Sequence, residues 1–400
     1  MRKRAGIYIH IPFCERKCTY CNFNTTDFFK GLAARYVEAV GREIRWWGER
    51  LSGGTNSGGH DRAAVDTIYF GGGTPSIVEA EQLAALVESC RASFDVATDA
   101  EITIEINPST FSHEKIGGWL RAGINRASVG VQSFIDKELS ALSRTHAAAD
   151  ARRTIDCLRE AGFLNVSLDL IAGLPEQTLD DWAFNLREAL AIRPEHMSLY
   201  LLEVKEGTQL FAQLKRGRRP QPDEDLAAEM YRMICAAARE AGYEHYEISN
   251  FALMPQNVEA RQGFAASPLR AKHNMKYWTG APFYGMGCGA HSYDRRARWV
   301  NTLKAESYIA SVDSNGHAVA ERNELTDEDR AAEALFMGLR LKEGVSLDEF
   351  RAEYGMDVLA RFGKELPRLQ DAGLIEVGAH RLMLTDAGRL LSNEVFVSFV

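Results

Sequence analysis

Along the first half of the chain, short β-rich runs at Ile7–Ile11, Thr67–Phe70, Glu101–Ile106, Arg126–Val131, Asn165–Ile171 and His196–Leu201 alternate with segments of helical pattern. The intervening stretches Leu32–Trp47, Ala80–Phe94, Ala147–Ala161 and Leu179–Ala191 place apolar residues three and four apart, as helices lying on a sheet do. That alternation predicts a parallel sheet of the α/β class. Six units suggest a partial (β/α)6 barrel; an open doubly wound sheet uses the same local units and stays open at this point. The Gly/Ser-rich stretch Ser52–Gly59 predicts a surface loop between the first helix and the second strand.

The repeat stops near Lys215–Asp223, where Gly217, Pro220 and Pro222 interrupt it before a helical pattern over Leu226–Ala241. From Asp327 the text reads as helices over Arg330–Lys342, Leu347–Tyr354 and Val358–Ala372, then a hairpin, Leu374–Val377 and Arg381–Thr385, around Gly378. This order is similar to a winged-helix module, an α+β unit. The chain therefore divides into a barrel over 1–215, an extension over 216–325 and a winged-helix-like domain over 326–400. The would-be third helix sets Arg361, Lys364 and Arg368 against Glu365 and Asp371, too mixed for a nucleic-acid face.

Of the 400 residues 46% are hydrophobic and 26% charged, and no uninterrupted apolar stretch reaches the roughly 18 residues of a membrane span. The formal net charge of −8 argues against a broad phosphate-binding surface, so no nucleic-acid partner is expected. The basic start Met1–Arg4 is followed by His10, Pro12 and Cys14 instead of the apolar core of a secretion signal, which makes the cytoplasm the expected location.

Seven cysteines include three crowded into Cys14-Glu15-Arg16-Lys17-Cys18-Thr19-Tyr20-Cys21, directly after the first strand. The scattered Cys90, Cys157, Cys235 and Cys288 read as small buried hydrophobes. Three thiolates can hold three irons of a [4Fe–4S] cube and leave the fourth open to a small ligand. The alternative is a zinc site completed by His10. Arg16 and Lys17 would favour the thiolate form through their charge.

With Tyr8-Ile9-His10-Ile11-Pro12-Phe13 in front of it, the cysteine block resembles radical S-adenosylmethionine (SAM) enzymes of the coproporphyrinogen-dehydrogenase-like group. The resemblance implies a [4Fe–4S] cluster on Cys14, Cys18 and Cys21 whose open iron chelates SAM. It carries over the SAM-binding turn to Gly72, Gly73 and Thr74 in Gly71-Gly72-Gly73-Thr74-Pro75, and an acidic SAM contact to Glu105. It also matches Gln132, Arg144 and Asp169, which help hold a second SAM in the coproporphyrinogen enzymes, and gives Tyr8 and Tyr20 as cofactor-lining rings. Asp169 lies in an apolar strand, so Arg144 or a ligand is expected to satisfy it.

Coproporphyrinogen dehydrogenases carry a fourth cysteine where this chain has Phe23. The pattern Cys21-Asn22-Phe23-Asn24 is instead similar to the radical SAM haem chaperones, which bind haem and deliver it to apo-haemoproteins. His273-Asn274-Met275-Lys276-Tyr277-Trp278 matches that branch's His-Asn-x-x-Tyr-Trp haem motif, which makes His273 the expected haem contact, with Cys288 and His291 as weaker ones. The implied partners are haem, apo-haemoproteins such as respiratory cytochromes and an electron donor to the cluster, with peripheral membrane contact and a homodimer. Whether SAM is cleaved stays open, and oxidative decarboxylation of coproporphyrinogen III, or another radical reaction on a tetrapyrrole such as methyl transfer, is the rival function.

Overall fold

Six strands, β1 (Ala5–Ile11), β2 (Ala64–Gly72), β3 (Asp95–Ile106), β4 (Arg126–Gln132), β5 (Asn165–Ala172) and β6 (His196–Leu201), lie side by side in chain order in the computed structural model, which describes residues 3–54, 60–254 and 269–399. Each neighbouring pair is parallel. A doubly wound sheet feeds its strands outward in both directions from a switch point. Here β2 to β6 are all added on one side of β1, and residues from all six strands or the loops that follow them surround one cavity, so the sheet curls into a partial barrel.

The strand text alternates because the two faces of the sheet differ. Ile68, Phe70, Ile104, Val129, Leu168 and Leu199 are buried on one face, and helices α1 (Lys30–Leu51), α2 (Ala80–Ser93), α3 (His113–Arg121), α4 (Ala148–Ala161) and α5 (Leu179–Ile192) supply the rest of that core. The residues between them, such as Tyr69, Glu105, Arg126, Ser128, Asp169 and Ser198, line the cavity. Helix α3, capped by Ser112, has no counterpart in the expected pattern because Gly117 and Gly118 interrupt its apolar stripe. Gly118 packs on Ala80, where a methyl group would come within 2.5 Å of the Ala80 Cβ.

The sheet continues beyond the barrel. After α6 (Glu224–Glu240), β7 (Tyr243–His245) and β8 (Asn250–Leu253) extend the β6 edge in antiparallel fashion. The helix α7 (Lys272–Trp278) leads to β9 (Phe283–Met286), which pairs parallel to the free edge of β1. Then β10 (His291–Tyr293), β11 (Ala297–Asn301) and, after α8 (Ala305–Asn315), β12 (Val319–Glu324) complete a twelve-stranded sheet. One hydrophobic core runs from Ala5 to Ala318, so the extension shares the core of the barrel.

A second core, including Leu335, Phe350, Leu366, Leu382 and Phe399, belongs to the C-terminal part. There the helices Asp327–Leu339 and Leu347–Tyr354 pack with a three-stranded antiparallel sheet of Val345–Ser346, Arg381–Leu384 and Ile375–Val377. The helix expected over Val358–Ala372 is broken into Val358–Arg361 and Glu365–Asp371. Pro367 is the cause: it has no N–H for the Gly363 carbonyl and is tolerated only in the first turn of a new helix. Of the Gly/Ser-rich stretch, Gly53–Gly54 pairs with His60–Asp61, while 55–59 lie outside the described residues. Among the described residues no helix is long and apolar enough to cross a membrane.

Candidate cofactor cavity

The cysteine loop is pinned from several sides. Phe13–Cys14 pairs with Thr26–Asp27, the Thr19 N–H donates to Leu142 O at 3.1 Å, and the Leu210 N–H donates to Thr19 O at 2.8 Å. Asn24 ties its far end to the extension, its Nδ2 donating to Leu303 O at 2.8 Å and Cys288 O at 3.2 Å. All three cysteines then face a cavity of about 520 Å³, within the ~300–1,000 Å³ usual for small-molecule sites.

The sulfurs have polar company. Thr74 Oγ1 lies 3.5 Å from Cys14 Sγ, and Arg144 Nη1 lies 3.5 Å from Cys18 Sγ. Burial pushes the Cys14 thiol up to about 11 and raises the Cys21 thiol as well, so the charge of the loop does not prevail as expected. Lys17 pulls down on Cys21 and Arg144 on both, but neither offsets the loss of water. A metal taken up by these thiols would displace protons.

The zinc reading fails on His10. Its Nε2 bonds Asn24 O at 2.8 Å and its Nδ1 bonds Tyr8 Oη at 3.0 Å, so neither nitrogen is offered to a metal. The ring is packed against the turn after β2: Gly72 has φ +114°, and a Cβ there would stand 2.4 Å from the imidazole. A Cβ on Gly73 would likewise meet the Pro12 backbone at 2.7 Å. These glycines bring the turn down onto the base of the cysteine loop, which sets the turn's cavity-lining edge beside Cys14.

Glu105 stands at the end of β3, accepting from Tyr69 Oη at 2.9 Å and the Gly72 N–H at 3.1 Å. Burial pushes its carboxyl up to about 7. Gln132 reaches the cavity through backbone distortion: the β4–β5 register slips between Val129 and Gln132, and Gln132 has φ +68°. Arg144 does not pair with Asp169. Its Nη2 goes to Gly130 O at 2.7 Å and Asn107 Oδ1 at 3.1 Å, while Asp169 takes the Ser128 hydroxyl at 3.4 Å. Burial pushes Asp169 up to about 6.

Cys14, Cys18, Cys21, Tyr20, Gly72, Gly73, Thr74, Glu105, Gln132, Arg144 and Asp169 therefore line one cavity. Two residues fall elsewhere. Tyr8 stacks behind Tyr69, ring centroids 6.1 Å apart, and does not line the cavity. His273 is 1% exposed, with Nδ1 bonded to Thr67 Oγ1 at 2.8 Å and Nε2 to Tyr277 Oη at 3.1 Å. Both nitrogens are engaged by hydroxyls, so His273 is packed against β2 and α7 and does not line the cavity. From the same motif Asn274 does line the cavity. Cys288 is buried against the Tyr36 hydroxyl, whereas His291 is exposed. Sequence reading missed Tyr69, Arg126, Ser128 and Ser198, whose only signal is polarity at alternate positions of otherwise apolar strands.

Fold and cavity together define a radical SAM protein. Residues 8–188 match the Radical SAM superfamily and 325–391 the HemN C-terminal domain. The chain is 35% identical to "Heme chaperone HemW" of Bacillus subtilis (strain 168) over 98% of both chains. It is also 34% identical to "Radical S-adenosyl methionine domain-containing protein 1, mitochondrial" of Bos taurus, over all of this chain and 88% of that one. The chain belongs to the HemW heme chaperone family. Among solved structures, coproporphyrinogen III oxidase (HemN) from Escherichia coli superposes with a TM-score of 0.82 at 24% identity, covering 100% of this chain and 90% of that one, a likeness of fold.

Proposed function

We propose that the protein is a haem chaperone of radical SAM type, holding a [4Fe–4S] cluster on Cys14, Cys18 and Cys21, SAM in the adjoining cavity, and haem for delivery to apo-haemoproteins. The observation that carries this is the convergence of three cysteines and the SAM-type residues on one cavity at the ends of the parallel strands. When bound, the cluster supplies an open iron for SAM and a store for one electron.

The residues divide the work by chemistry. Arg144 is fixed by Gly130 O and Asn107, so its Nη1 stays aimed at the Cys18 sulfur. Glu105, raised to about 7, accepts hydrogen bonds from an amino or hydroxyl donor. Gln132 and Asp169 line the same cavity and serve a ligand there, and Tyr20 lines it beside Cys18 and Cys21. Phe23, 62% exposed at the rim, presents an apolar face where coproporphyrinogen dehydrogenases have a thiol. An electron donor, peripheral membrane contact, a homodimer, residence in the cytoplasm and the division at 215 and 325 belong to the same proposal.

Anaerobic reconstitution followed by parallel titration with haem and SAM tests it. Both ligands are expected to bind, and Cys14→Ala, Cys18→Ala or Cys21→Ala to abolish the visible thiolate-to-iron absorbance. Conversion of coproporphyrinogen III to protoporphyrinogen by the reduced, SAM-loaded protein would overturn the chaperone reading.

A further inference from the structure

The floor of the cavity holds a charge that the cluster and the carried-over SAM residues leave unused. Arg126 opens β4 and is 2% exposed, yet it lines the cavity. Its Nε has no partner, and among the described residues none hydrogen-bonds or ion-pairs with its guanidinium. Glu105 and Asp169 both feel its charge but spend their oxygens on neutral donors, Tyr69 and Gly72 for the first and Ser128 for the second. Thr103, directly opposite Arg126 in the β3–β4 register, has a buried hydroxyl that also lacks a partner.

A guanidinium carries five N–H donors and does not shed its proton in proteins. Burying one without an acceptor is strongly unfavourable, and nearby charge does not replace a hydrogen bond. The acceptor therefore has to come from the cavity, and a planar, two-oxygen anion matches the fork of an arginine.

We infer that Arg126, with the Thr103 hydroxyl beside it, receives a carboxylate of the ligand that reaches the cavity floor. The inference rests on the reading of this cavity given above, in which two ligands bring carboxylates: haem through its propionates and SAM through its methionyl group. Their shared chemistry is the recognised feature, and the experiment separates the sources.

Arg126→Gln and Arg126→Lys are made in the full chain and reconstituted anaerobically. Haem and haem dimethyl ester are titrated by Soret absorbance, and SAM and decarboxylated SAM by equilibrium dialysis. Arg126→Gln is expected to weaken one carboxylate ligand by about tenfold or more, the range for a charged hydrogen bond, while shifting its carboxylate-free counterpart less than about twofold. Arg126→Lys recovers part of the loss, and the pair that responds identifies the source. Equal losses for a ligand and its counterpart would make Arg126 a structural residue, and no loss would mean that water fills the site; either overturns the inference. Failure of the wild-type chain to bind haem or SAM at all would count instead against the functional reading.

Discussion

His273 separates what a sequence carries from what it leaves out. The letters give an imidazole beside two aromatic rings; they do not give the Thr67 and Tyr277 hydroxyls that occupy its nitrogens. Burial lowers its pKa to about 3, which favours the neutral ring. His273→Ala orphans both hydroxyls and opens a void, and is expected to cost about 2–4 kcal/mol in urea unfolding with an unchanged Soret band. A displaced Soret band at wild-type stability would return it to the iron. Gly72→Ala is the complementary case. Its backbone is left-handed and its Cβ would strike the His10 ring, so it is expected to lose at least ~2 kcal/mol and to reconstitute the cluster poorly. Normal cluster occupancy in that variant would show that the turn can move. The cysteine trio was legible because spacing alone brings it together, whereas Arg126 was not, since a charged residue opening a strand ordinarily faces water.

Among the elements, legibility followed length and pattern. The six barrel strands could be read because one face is continuously apolar, but β9 is four residues around Gly285, too short for any period to register. The join between α1 and the extension was also hidden, because its polar part is buried: the Tyr36 hydroxyl accepts from the Cys288 N–H at 2.8 Å, and one acid gathers several donors beside it. Glu43 accepts from Tyr308 Oη at 2.7 Å, Asn301 Nδ2 at 2.8 Å and the Gly287 N–H at 2.9 Å, latching α1 to the loop after β9. Burial pushes its carboxyl up to about 7 against these donors. An unfolded glutamate titrates near ~4.3, so between the two values the native state holds a proton that the unfolded chain releases. Its contribution is full below about pH 4 and is lost as pH rises through about 7. The expected loss is on the order of 2–4 kcal/mol. Glu43→Gln keeps a neutral group at every pH and should flatten that part of the profile in urea midpoints taken at about pH 5 and 8. Identical slopes in both proteins would place the titration elsewhere.

At the scale of the whole molecule the two hydrophobic cores meet across a polar seam. Lys342 N–H donates to Tyr246 O at 2.9 Å, and Arg298 and Glu333 form a doubly hydrogen-bonded pair between β11 and the helix Asp327–Leu339. Arg270 reaches Glu343 at 2.5 Å, and Arg340 reaches Glu247, 1% exposed, at 3.4 Å while lying 4.3 Å over the Trp278 ring. The His-Asn-x-x-Tyr-Trp segment thus works as a bracket: Asn274 touches the cavity, His273 and Tyr277 fix α7 to the barrel, and Trp278 holds the C-terminal part. Glu247 is the buried anion of the seam, also accepting from Asn250 Nδ2 and the Ser249 N–H. Glu247→Ala leaves Arg340 facing a half-buried gap and strips two donors of their acceptor. Because the C-terminal core lies beyond this seam, the loss is expected to fall on the coupling between cores more than on either core. Calorimetry should show the single wild-type transition splitting in Glu247→Ala, the C-terminal core melting first after losing about 2–3 kcal/mol of docking. One undivided transition, merely shifted, would mean that the two cores are joined by apolar packing and not by these charges.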